Sequence, residues 1–242
     1  MENTQKLNFI NARLLIALSI IISTLIGGYT LYSIRALDNT LTVTGSATKQ
    51  VTADRVKWTG VISRVVKVAT LKQGYADMAR DLENVKAFLK EKNISAEQIV
   101  ISPVFMDQNY DQPQGAERSY TLRQTIDVTS SDVTMISDIT KNTQPLIEKG
   151  VVFATQNLEF TYTKLPEERV AMLADAIADA KARAGNLALS SGKSVGTLKS
   201  ASSGVVQVMS ANSTEVSDYG MYDTSKIEKT IMLTVKASFT LK

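Results

Sequence analysis

The chain has 242 residues, 44% of them hydrophobic and 21% charged, with a net charge of +3. That length buries a core without metal or disulfide staples, and the composition is too apolar for bulk disorder. There is no cysteine and no histidine, which excludes disulfides, thiol chemistry, Ser-His-Asp catalysis and thiolate or imidazole metal sites.

Residues 14–34 run for a full bilayer's worth of helix without a charge, between Arg13 and Arg35. Leu14, Leu18, Ile22 and Ile26 mark the apolar body of this segment. A cleavable leader is shorter and ends in a small-x-small site. The outer end here reads Gly28-Tyr29-Thr30-Leu31-Tyr32-Ser33, so a retained single-pass anchor in lipid is expected. Lys6 and Arg13 precede the run and only Arg35 closely follows it, which places residues 1–13 in the cytoplasm and the remainder outside it. Ser19, Ser23 and Gly27 recur every four residues, a small-residue stripe of the kind that lets membrane helices associate.

Residues 35–40 read as a tether. Alternation over 41–47 and a Val/Ile/Thr-rich stretch over 55–68, which carries the only tryptophan, Trp58, predict two strands. A helix is predicted over about 70–92, with an apolar stripe of Leu71, Tyr75, Met78, Leu82, Val85 and Leu89. Asn93 is suited to the left-handed residue that closes it. A strand over 99–106 carries Pro103, which suggests an edge or bulge. A polar loop, 107–118, leads to a strand over 119–129 with Tyr120, Leu122, Ile126 and Val128 on one face.

A helix over about 132–143 ends near Pro145, and a strand follows over 151–162. The third helix of the domain starts at Pro166 and ends before Gly192, with a predicted core stripe of Val170, Leu173, Ile177, Ala180, Ala184 and Leu187. Ala171, Ala174, Ala178 and Ala182 form a second, small-residue stripe beside it. They suit close packing on the domain's own sheet or a contact between subunits. Strands are predicted over 195–209 and 227–241, the latter with Ile231, Leu233, Val235, Ala237, Phe239 and Leu241 facing inward. The order strand, helix, strand, loop, strand occurs twice, which raises a duplicated β-α-β-β unit. The class is α+β: an N-terminal membrane helix, then an antiparallel-rich sheet domain with three helices over 41–242.

The opening Val43-Thr44-Gly45-Ser46-Ala47, followed by Val51-Thr52-Ala53-Asp54, resembles the entry motif of the SIMPL-domain family. The alanine-rich run 175–184, then Leu187-Ala188, Gly192 and Val195-Gly196, resembles that family's helix and next strand. The resemblance spans about 40–242. Ala53 departs from it, standing where the family usually has proline before the aspartate. The resemblance implies envelope or periplasmic proteins, some linked to oxidative-stress defence, with homo-oligomeric, ring-like assembly and no catalytic residues to assign.

The chemical motifs fail on inspection. Asp107, Asn109 and Asp111 imitate the start of a calcium loop, but Gln112 replaces the turn glycine and Arg118 the closing glutamate. Gly192-Lys193-Ser194 imitates the end of a phosphate loop, but Leu187 replaces its first glycine. Asp175 and Asp179 are one turn apart and flank Lys181 and Arg183 on a helix whose other face is apolar, and Asp179 is spaced for an ordinary ion pair with Arg183. Beyond residue 35 the net charge is +1, which gives no footprint for nucleic acid. Tyr110, Tyr219 and Tyr222 lie in the polar loops. The expectation is a non-enzymatic, cofactor-free envelope protein whose partner is a second copy of itself. The alternative is a binding module for a small molecule or peptide.

Overall fold

The computed structural model describes every residue except 1, 37–38, 111–116, 212 and 214–216, and only the backbone of 2–14, 35 and 36. Helix α1 spans Glu2–Ala36. Its stretch Leu15–Ile34 is long and apolar enough to cross a membrane, and none of its best window is buried in the protein. At 1.5 Å per residue it is about 30 Å long, the thickness of a hydrocarbon core.

After α1 come strands β1 (Thr40–Thr52) and β2 (Arg55–Lys67), helix α2 (Leu71–Glu91), strands β3 (Ile99–Ile101), β4 (Phe105–Asn109) and β5 (Ser119–Ser130). Helices α3 (Val133–Lys141) and α4 (Gln144–Glu148), strand β6 (Phe153–Thr161) and helix α5 (Leu165–Ser190) follow. The chain closes with β7 (Val195–Ser210), β8 (Met221–Tyr222) and β9 (Glu228–Leu241). One sheet has the order β1-β9-β7-β8; in the other, β3-β5-β2-β6, strand β4 also pairs with β5. The chain forms two compact units. One holds residues 1–46, 173–204 and 234–242, and the other 47–172 and 205–233.

The larger unit is organised by β2, which pairs antiparallel with β5 on one side and β6 on the other. Its even-numbered residues Val56, Trp58, Ile62 and Val66 face a core completed by Met78, Val85, Phe88 and Leu89 of α2, with Ile136 of α3 and Leu146 of α4. The predicted stripe of α2 is rotated. Tyr75 lies 41% exposed, while Gly74 is buried, because a Cβ at Gly74 would come under 3.0 Å from Val66. Asn93 does take the left-handed conformation, at φ 61°. The predicted strand 99–106 is two edge strands, β3 and β4, interrupted at Pro103. The predicted helix 132–143 is α3, and a short unpredicted helix, α4, follows it, so among the described residues four α-helices rather than three follow α1. Pro145, which has no N–H to donate, stands at the start of α4.

The candidate duplication does not survive in the sheets. β6 joins β2 and β5, while β7 and β9 join β1. Ala53, where the family usually has proline, donates its N–H to Ile227 O at 2.9 Å. A proline there has no hydrogen to donate. Asp54 is fixed by the chain just ahead of α5: Thr163 gives it both its N–H and its hydroxyl, each at 2.8 Å.

In the smaller unit α5 lies directly on β1. A Cβ at Gly45 would come under 3.0 Å from Ala176 O and from Ala180 N and Cα. The helix therefore buries alanines: Ala176, Ala180, Ala184 and Ala188 are inside, with Val235, Ala237 and Phe239 of β9. The stripe expected from sequence is corrected at both ends, since Val170 and Leu187 are exposed. Gly192, at φ 70°, terminates the helix, and the N–H of Lys193 reaches back to Ala188 O. Gly45→Ala is expected to cost about 2–3 kcal/mol, because the added methyl meets backbone that cannot rotate away. Urea unfolding of the variant beside the wild type measures it.

Candidate functional site

Three features stand apart from the apolar core: the outward face of α5, a polar cluster around Lys229, and the open clefts.

Helix α5 is tied to β1 by Asp179. Its carboxylate accepts the N–H of Ser46 at 2.8 Å and pairs with Arg183 Nε at 2.8 Å. The Ser46 hydrogen bond, helped by Arg183, holds the Asp179 carboxyl below the ordinary aspartate value of 3.8. The pairing with Arg183 is the one spacing predicted, but the bond to Ser46 was not visible in the sequence. Asp175 stands exposed beside it.

With Asp179 and the buried alanines directed at β1 and β9, Ala171, Ala174, Ala178 and Ala182 are all exposed. Of the two roles open to them, packing on the chain's own sheet is overturned. At 100° per residue they fall on one face together with Gly185 and Leu189, and Leu189 is 71% exposed. The result is a seam of small and apolar side chains with the exposed Asp175 at its edge. On α1, Ser19, Ser23 and Gly27 also face outward. The Ser19 hydroxyl is satisfied within the helix by Ile16 O at 2.8 Å, and the space beside Gly27 is empty. Leu18, Ile22 and Ile26 are exposed around them; the side chain of Leu14 lies outside the described residues.

The polar cluster was missed. Lys229 is 1% exposed. Its Nζ donates to Asp223 O and lies 5.6 Å from the centre of the Tyr222 ring. Burial lowers its pKa, against the opposing pull of Asp223. Tyr222 Oη accepts the N–H of Tyr162 at 2.7 Å, and Tyr162 Oη donates to Glu168, which is paired with Lys49 at 2.5 Å. The signal was legible: Lys229 shares the odd-numbered face of β9 with Ile231 and Leu233. The ammonium is consumed by a carbonyl and a ring. The neighbouring cleft of about 460 Å³ is lined by residues such as Phe160, Ser210 and Ile227, not by Lys229.

Two other clefts belong to the larger unit. One, of about 520 Å³, lies on the sheet, where Asp107 and Arg123 pair beside Phe105 and Gln156. The other, of about 410 Å³, runs between the end of α2 and β3. The calcium-like motif is spent on structure. Asp107 pairs with Arg123, and the Asn109 amide bonds Ser119 at 3.0 Å and Thr121 at 2.9 Å within paired strands. Asp111 lies outside the described residues. Among the described residues no three carboxylates converge. Of the loop tyrosines, Tyr110 and Tyr219 are exposed, while Tyr222 belongs to the cluster.

The depressed Asp179 carboxyl stabilises the fold above the ordinary value of 3.8 and loses that contribution as pH falls through its lower folded value. Asp179→Asn is therefore expected to flatten the decline in stability below about pH 3.8. Urea titrations at stepped pH compare the two slopes.

Residues 41–239 match the family model of the SIMPL domain, described as a protein of unknown function. No curated protein matches the chain.

Proposed function

We propose that this chain, which belongs to the SIMPL family, is a membrane-anchored envelope protein that works by self-association rather than by chemistry. Family membership points to an envelope setting, and α1 supplies a helix fit to serve as anchor or leader. The retained anchor is favoured by its length and by the absence of a small-x-small site at its outer end. In this reading α1 stays in the cytoplasmic membrane, residues 1–13 remain in the cytoplasm, and residues 41–242 project outward as an assembling scaffold.

One observation carries the assembly. Helix α5 is packed through alanines on one face, yet it also presents alanines, Gly185 and Leu189 on the other. Solvated helix faces are ordinarily rich in charge, and a seam of small residues with one carboxylate, Asp175, at its edge admits a second backbone at close range. A stable subunit contact needs at least about 1,000 Å² of buried surface, so the seam would be the centre of a larger interface. A ring follows if that interface is heterologous and closes. A role in stress defence is the setting that family resemblance suggests for such a scaffold.

Ala178→Glu tests this. Ala178 is exposed within its own chain, so the variant should keep the wild-type circular dichroism and melting temperature. In detergent its mass by light scattering should fall below that of the wild type. An unchanged mass removes the α5 seam from the interface.

A further inference from the structure

The groove at the end of α2 takes no part in the self-association just described. Its floor is apolar: Ile94, Ile99 and Ile101, with Ala96 beside them. Ile94 is held down by the helix terminus, where Asn93 turns left-handed and the N–H of Ile94 returns to Leu89 O at 3.0 Å. Its volume of about 410 Å³ is that of a small-molecule site.

Two cations stand over this floor. Lys86 and Lys90 are one helical turn apart on the same face, where like charges repel. Glu83 offsets Lys86 at 2.8 Å, but Lys90 makes no ion pair among the described residues. Glu97 keeps its charge, but its carboxylate is engaged by its own backbone N–H and by Ser95, and it makes no ion pair with Lys90. The last α2 carbonyls, Phe88 O, Leu89 O and Lys90 O, are capped by the N–H groups of residues 92–94. They leave Lys90 free for an outside acceptor. An apolar trough with the unpaired Lys90 ammonium at its rim matches a ligand with one anionic end and a hydrocarbon body.

We propose that this groove binds a medium-chain fatty carboxylate, its chain along Ile94, Ile99 and Ile101 and its headgroup on Lys90 with Lys86 in support. Hydrocarbon burial supplies most of the affinity. The lysines choose the carboxylate end and its direction.

The test uses the full chain in phospholipid nanodiscs and a decanoate carrying a photoreactive diazirine. Labelling should concentrate on peptides covering 86–101, and excess decanoate should suppress it. The same concentration of decanol should suppress it at least about fivefold less, and Lys86→Glu/Lys90→Glu should reduce it about tenfold. Both lysines are exposed, so the variant keeps its fold, which circular dichroism verifies. Labelling confined to residues 15–34, equal protection by decanol, or full labelling of the folded variant would each overturn the assignment.

Discussion

Helix α5 approaches strand β1 so closely at Gly45 that a single added methyl would collide with the helix backbone. Much of the smaller unit follows from this. Over that contact the helix can present nothing larger than alanine, which is why Ala176 and Ala180 are buried there, with Ala184 and Ala188 after them and Met172 buried one turn before. Alanines bury little area, so the contact gains more from backbone proximity and from the Asp179–Ser46 hydrogen bond than from hydrophobic volume. The larger unit repeats the device more weakly where Gly74 of α2 meets Val66.

Seen this way, the motifs that mark the family are packing motifs. Gly45 of the entry motif and the alanines of the helix motif are two sides of one contact. Ser46 supplies the N–H that fixes Asp179, and Asp54 fixes the chain just ahead of α5. None of them lines the three clefts described above. Ala53 replaces the usual proline without loosening the turn, because it gains a hydrogen bond to Ile227 that proline cannot make.

Much of the fold was legible in the sequence because strong periodicity survives tertiary context. The uncharged run of α1, the alternation of β9 and the odd-even face of β5 all appear as expected. The misreadings share a cause. Large side chains dominate the predicted stripes, whereas α5 docks through alanine in place of Val170 and Leu187, and α2 sets Gly74 rather than Tyr75 beside its buried Met78, Val85, Phe88 and Leu89. Lys229 was overlooked although its parity placed it inward, since a charge at a core position is normally read as a strand end. The α2 groove was invisible because its walls are brought together by a helix terminus and an edge strand.

A helix docked by alanine on one side and lined with alanine on the other is suited to a second partner, and self-association through α5 rests on that double face. The direct measurement is sedimentation of the version lacking residues 1–36 beside the full-length protein in detergent. If α5 makes the contact, both sediment as oligomers with the same number of subunits. A shortened chain that remains monomeric at micromolar concentration would contradict it and move any assembly to α1.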